Sequence, residues 1–296
     1  MEEAQPANAR IEQARALHRR RIGALLRLAQ RKAVGDAGLA LVPLGIGLAH
    51  IELLAAVESR SQADQRAIGA ALGVDRTSIT ILVDAAEDRG WVTRSAGTDR
   101  RRKLLTLTDA GSSILAQGLR LLGDAGIATL APLDSNAASL IDMLRRVAAP
   151  QAALAAAPPQ LVDLPAFLIR RAAQAASTVF AETAGADALP GLDYSILLLL
   201  DQNLVETQAD LLFAISTFRS STMPALKRLE TAGLIERATA LGDRRRRHLR
   251  ATPAGIARLR KLDQPIEAYE AAFLSPLDPA EARQLYDGLL RIADTD

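Results

Sequence analysis

Apolar residues first recur at helical spacing over residues 11–34. There Leu17, Ile22, Leu25, Leu26 and Leu28 form one stripe along a long predicted helix. A second apolar run predicts a helix over about 47–57. Asp64 stands where an N-cap is needed for a short helix, 65–72, with Ile68 and Leu72 turned inward. Gly73-Val74 break that helix. Asp75 then caps another over 76–89, whose inward set is Ile79, Leu82, Val83 and Ala86. Gly90 is placed to end it as a left-handed C-cap. From there the period falls to two. Trp91-Val92-Thr93 reads as a strand, Ala96-Gly97-Thr98 as a turn, and 103–108 as a second strand in which Leu105 and Leu107 alternate with Thr106 and Thr108. Thr108-Asp109-Ala110-Gly111 opens a further helix, and Asp134 is placed to cap one more, to about Val147.

The same order returns in the second half. Asp99-Arg100-Arg101-Arg102 recurs 144 positions on as Asp243-Arg244-Arg245-Arg246, and the same interval relates Thr108 to Thr252 and Pro132-Leu133-Asp134 to Pro276-Leu277-Asp278. It also relates Gly47-Leu48 to Gly191-Leu192, and Arg27 and Gln30 to Arg171 and Gln174. Arg76, Ser78, Glu87, Gly90 and Arg94 match Arg219, Ser221, Glu230, Gly233 and Arg237 at 143. Matches in one order over so long a stretch predict two copies of one domain, 1–150 and 151–296, each with its own core. Thr207 is expected to cap 208–215, and Pro253 and Pro279 sit at first helical turns, where a missing N–H costs nothing. The seam, 148–160, is rich in Ala and Pro. It suits a semi-rigid spacer or, over 151–157, an alanine helix.

Composition narrows the chemistry. The chain has 296 residues, is 49% hydrophobic and 24% charged, and so can bury two cores. It has no cysteine, which excludes disulfides, thiolate metal sites and thiol chemistry. Its three histidines, His18, His50 and His248, are too scattered for a metal site. Aromatics at 3% argue against a stacking platform for single strands. The N-terminus lacks the apolar segment of an export signal. The most membrane-like run, 38–57, carries Pro43, His50 and Glu52. An ionisable residue at bilayer depth costs about 2.5–3.5 kcal/mol, so the run reads as buried soluble structure and the compartment as the cytoplasm. No catalytic motif, metal site or cofactor loop is found. Gly45-Ile46-Gly47 lacks the third glycine of a nucleotide loop.

Net charge is only +2, but thirty-two of the thirty-six basic residues are arginine, and they cluster. A helix-turn-helix wants short polar and cationic side chains at the start of its second helix, where phosphates and base edges are met. Arg76, Thr77, Ser78 and Thr80 are so placed in the first copy. Arg219, Ser220, Ser221 and Thr222, followed by Lys227 and Arg228, are so placed in the second. Helix capping explains the hydroxyls equally well. The hairpin tips, Arg100-Arg101-Arg102 and Arg244-Arg245-Arg246, concentrate like charge that an anion would screen, and arginines suit a narrow minor groove. A solvated basic turn is the plainer reading of one such run, but it does not explain recurrence behind a second helix pair.

These segments carry a resemblance. Asp75 to Thr80, Glu87 to Arg94, Asp99-Arg100-Arg101 and Leu107 to Gly111 are similar to the MarR family of winged-helix regulators. So are Leu229 to Arg237, Asp243-Arg244-Arg245 and Thr252 to Gly255. The resemblance implies a mainly α fold with small β-hairpin wings: two winged helix-turn-helix domains joined by a helical dimerisation-like region with pseudo-two-fold symmetry. It implies double-stranded DNA as partner, a small-molecule effector held between the dimerisation and DNA-binding parts, and a fused pair acting as a monomer with an internal pseudo-dimer. Ile81 stands where family members usually carry a polar or basic residue. Pro224 lies within the second reading helix, in its first turn if Ser220 is the cap. The absence of cysteine excludes the peroxide-sensing branch.

The expected function is a ligand-responsive repressor, not an enzyme, on an imperfect palindrome whose half-site centres lie about 34–36 Å apart. The rival is a protein-interaction module on a degenerate winged-helix scaffold. For the effector, His50 and its counterpart Tyr194 are candidates to line two pockets. Arg27 and Arg171 are candidates for an acidic ligand or for an inter-copy ion pair.

Overall fold

The computed structural model describes residues 4–60, 64–96, 103–149, 157–216, 219–240 and 243–295. The seam over 150–156 and the tip arginines Arg100, Arg101 and Arg102 lie outside them. The chain forms two compact units, neither continuous in sequence. One comprises Met1–Leu28 and Ala173–Asp278, the other Ala29–Ala172 and Pro279–Asp296.

The first unit contains α1 (Ala4–His18), the start of α2 (Ile22–Leu41) and the end of α8 (Pro165–Ala184). Then come α9 (Gly191–Asp201), α10 (Gln208–Ala214), α11 (Arg219–Thr231), β3 (Ile235–Ala240), β4 (Asp243–Ala251), α12 (Pro253–Arg260) and α13 (Asp263–Leu274). The helix expected over 11–34 is two helices, broken at Arg19-Arg20-Arg21. The Ile22 amide and the Arg21 guanidinium both donate to the Glu270 carboxylate of α13, at 3.2 and 3.1 Å, so an acid distant in sequence caps the start of α2. Thr207 caps α10 through the Asp210 amide, and Pro253 opens α12, as expected. Pro224 is the sixth residue of α11, past its first turn, so α11 tolerates a proline where an N–H would otherwise donate.

The second unit contains the rest of α2, then α3 (Leu48–Ser59), α4 (Gln65–Leu72), α5 (Arg76–Asp88), β1 (Val92–Ala96), β2 (Lys103–Leu107), α6 (Asp109–Leu130) and α7 (Ala137–Ala148). The start of α8 and α14 (Pro279–Asp294) complete it. Residues 51–57 of α3 are buried, with Glu52 paired to Arg170. Asp134 does not cap α7. It adopts φ 50°, ψ −123° at a kink, and the helix starts at Ala137. By length and apolar composition the run 109–148 resembles a membrane-crossing helix. That kink divides it, and Gly118 of α6 closely approaches Ile51 of α3. The last helix joins this unit through Glu281, which receives Arg146, and through Gly288, which lies against Leu140.

Both units build an antiparallel hairpin behind a helix pair, by the same bonds. β1 pairs with β2 in register Val92↔Leu107 to Ala96↔Lys103, and β3 pairs with β4 with a bulge at Thr239/Ala240. Asp64 bridges Leu104 in one, and the Glu206 carbonyl accepts from the Leu249 amide in the other, at 2.7 Å. Gly90 and Gly233 close α5 and α11 at φ 70° and 67°, where side chains are strained. Thr108 then donates from its amide to Trp91 O at 3.0 Å and from its hydroxyl to Gly90 O at 2.6 Å, while accepting from the Gly111 amide. Thr252 makes the matching set to Leu234, Gly233 and Gly255.

That clamp leaves no room for a side chain at its last residue. A Cβ on Gly111 would lie 2.1 Å from the Trp91 carbonyl oxygen, and one on Gly255 2.1 Å from that of Leu234. Gly111→Ala and Gly255→Ala should each destabilise by about 1–3 kcal/mol through forced backbone shifts. Gly123→Ala, which meets nothing within 4 Å, should be neutral or stabilising. Urea unfolding of the three variants checks this.

Candidate nucleic-acid interface and effector cavity

At the start of α5 the Asp75 carboxylate accepts from the amides of Thr77 and Ser78, both at 2.9 Å, and from the Ser78 hydroxyl at 2.6 Å. The Ser78 hydroxyl is the leading cause holding the Asp75 carboxyl below its usual range. Thr80 donates to Arg76 O and accepts from Gln65 of α4, both at 2.8 Å. Arg76, Thr77, Ser78 and Thr80 are all exposed, so this helix start presents a guanidinium and hydroxyls to solvent. Ile81 beside them is 65% exposed. On α11, Arg219, Ser220, Ser221 and Lys227 are exposed. Thr222 is fully buried and cannot reach a groove as expected, because it falls on the core side of the helix with Leu226 and Leu229. Arg244, Arg245 and Arg246 lie on β4, the second strand of its hairpin.

The first unit also holds a cavity of about 440 Å³. Its wall combines aromatic rings with cations: Phe180, Tyr194 and Tyr269, Arg21 and Arg27. Phe180 meets Tyr269 edge-on at 5.5 Å and Tyr194 at 6.5 Å. Arg21 is paired with Glu270. Arg27 is different. Its Nη2 donates to the Ser195 hydroxyl at 3.0 Å, and among the described residues it has no carboxylate within ion-pair range. Burial lowers its pKa to about 10, opposed by Tyr269, so it remains a cation at neutral pH. Gly191 makes room for it, since a Cβ there would lie 2.4 Å from Nη1. The first turn of α9 also faces the cavity through Gly191, Tyr194 and Ser195, adding the positive end of a helix dipole. A guanidinium beside aromatic rings can in principle accept an organic anion with an apolar body.

One bonded step joins that wall to α11. Asp193 of α9, buried, accepts from Arg228 of α11 through both oxygens, at 3.0 and 2.6 Å. The pair ties the start of α9 to α11.

The four effector candidates are not gathered together. Tyr194 and Arg27 line the cavity. His50 does not: it is half-buried, edge-on to Trp91 at 5.7 Å, with Nδ1 accepting from the Gly47 amide. Arg171 does not line it either. It is buried in the second unit, where it donates to the Ala71 carbonyl at 2.9 Å and lies 4.9 Å from the Phe167 ring. Among the described residues no His, Asp and Glu group could hold a metal ion.

A sequence profile described as "MarR family" matches residues 44–102. The "Putative transcriptional regulatory protein for hcr operon" of Thauera aromatica is 34% identical over 132 residues, 44% of this chain and 79% of that protein. The chain belongs to the MarR family. Solved structures similar to parts of it include the PcaV transcriptional regulator of Streptomyces coelicolor with its natural ligand. That match has 27% identity, covers 46% of this chain and 95% of that one, and has a TM-score of 0.42. Wild-type MarR from E. coli is another, with 27% identity, covering 36% and 81%, and a TM-score of 0.34. The relatives are transcriptional regulators, not enzymes.

Arg228, expected to face DNA, is instead bonded to Asp193. Ser195, Tyr269, Phe180 and Asp193 were not singled out in the sequence. At the 144-residue interval they face Ile51, Ala125, Asp36 and Ala49, so polar or aromatic residues present in one half alone would have pointed to them.

His18, at the end of α1, is 4% exposed and feels the cavity's charge. Burial chiefly, then Arg27 and Arg19, lower its pKa to about 3. The unfolded chain keeps about 6.5, so it takes up a proton that the folded chain refuses. The stability His18 sustains is full above pH 6.5 and drains away as pH falls from there toward 3. Relative to His18→Asn, the parent should lose about 1.4 kcal/mol per pH unit below 6.5. Urea unfolding from pH 7 to 5 measures the difference.

Proposed function

We propose that this chain is a ligand-responsive, sequence-specific regulator of double-stranded DNA, a repressor acting in the cytoplasm. Its halves, 1–150 and 151–296, serve as two fused winged-helix copies, so that one polypeptide does the work of a dimer. The observation that carries this is the paired Thr–Gly clamp, Thr108/Gly111 and Thr252/Gly255, which fixes a hairpin behind each exposed, cation-bearing helix start. The reading helices are α5 and α11. Arg76, Thr77, Ser78 and Thr80 act from the first, and Arg219, Ser220, Ser221 and Lys227 from the second. Arg100–Arg102 and Arg244–Arg246 supply the wings. Their sequences differ, so the operator is an imperfect palindrome with unequal halves.

The effector in this reading is an aromatic carboxylate. The acid meets Arg27, the ring lies among Phe180, Tyr194 and Tyr269, and about 440 Å³ falls within the usual range of small-molecule pockets. Binding there shifts α9 and, through Asp193 and Arg228, turns α11 away from the groove. One feature favours a second reading, a protein partner for the first copy: Ile81 stands exposed on α5 where a phosphate-facing residue would be polar. A thymine methyl would accept the same side chain.

Selection from random duplexes tests the reading. It should recover one asymmetric site bound by a single chain. Neutralising Arg244, Arg245 and Arg246 to Gln should then lower the slope of log affinity against log salt by about one per lost phosphate contact. Recovery of no preferred duplex, or a slope left unchanged, contradicts it.

A further inference from the structure

The two copies do not hold equivalent effector sites. Where the first unit has its large cavity, the second has a void of only about 10 Å³, too small for a ligand. Among the residues lining it are Ala33, Leu122 and Ala125, repeat partners of Ser177, Ile266 and Tyr269 on the large cavity's wall. The difference lies in the substitutions around it. Phe167, fully buried, stands at the repeat position of Gly23, and Leu168 at that of Ala24. Ala125 replaces the ring of Tyr269. Ile51 replaces Ser195, so the hydroxyl that holds Arg27 is missing, and Gly118 gives Ile51 its space where the other copy has Leu262.

Arg171, the counterpart of Arg27, has accordingly turned elsewhere. It bonds the Ala71 carbonyl at the C-terminal end of α4, where a cation suits the helix dipole, and lies by the Phe167 ring. The onward link is missing too, for Asp193 and Arg228 correspond to Ala49 and Ala85.

We infer that the chain binds one anionic aromatic effector, in the first unit alone, and that the repeat-related site of the second unit is a fixed internal brace. This rests on the reading of two copies and an effector cavity proposed above. Its consequence is a regulator with one adjustable reading helix, α11, and one constant one, α5.

Calorimetric titration of the full chain with benzoate, 4-hydroxybenzoate and 4-hydroxycinnamate tests it. The expected result is one equivalent bound per chain. Arg27→Gln should weaken binding about tenfold or more, the loss of one charge-assisted pair. Arg171→Gln should leave affinity within about twofold, although it lowers the melting temperature. Two equivalents per chain would overturn the inference while leaving the effector reading intact. So would binding lost in Arg171→Gln and kept in Arg27→Gln. Heat from none of the three acids would overturn the effector reading itself, and the inference with it. The stoichiometry is read on the unmodified chain, so the test survives a variant that fails to fold.

Discussion

A guanidinium enclosed in an apolar interior must find a partner, because an unpaired buried charge costs several kcal/mol. This chain faces the problem twice, at Arg27 and at Arg171, and solves it in two ways. Arg171 donates to a helix carbonyl, with an aromatic face beside it and Glu52 near enough to offset part of its desolvation. Arg27 has one neutral hydroxyl and an open cavity. Burial depresses the pKa of both to about 10, so each remains charged at neutral pH. The charge with the poorer complement is the one left able to receive an anion from outside.

Each hairpin is fixed to the helix before it by the threonine–glycine clamp and by a second tie. Glu87 receives Arg94 in one unit, and Glu230 receives Arg237 in the other. Helix, hairpin and following helix are thereby bonded into one piece in each unit. Under the proposed reading of two fused copies, positions that a dimer of identical chains would share, such as Gly23 and Phe167 or Ser195 and Ile51, are free to differ.

Much of the fold was legible in the sequence because its signals are local. Asp64, Asp75 and Thr207 cap the helices they precede, and the change of period after Gly90 gives the hairpin. What the sequence hid was set by distant partners. Residues 11–34 have one continuous apolar stripe, but Glu270, far along the chain, starts a new helix at Ile22. The capping pattern at Asp134 was overruled by a kink. Arg27 and Arg171 look alike in sequence, and the residues around them, among them Ser195 against Ile51 and Gly23 against Phe167, set them apart. Thr222 reads as a surface hydroxyl until the rotation of α11 places it inside.

Nitrogen-15 NMR of the arginine side chains, with and without 4-hydroxybenzoate, probes the two guanidiniums directly. In the free protein the Arg171 Nη protons should be resolved and slow to rotate, and the acid should leave them unchanged. Those of Arg27 should sharpen into separate signals only when the acid is present. Equal responses from both arginines, or an Arg27 already immobile and indifferent to the acid, would contradict the account.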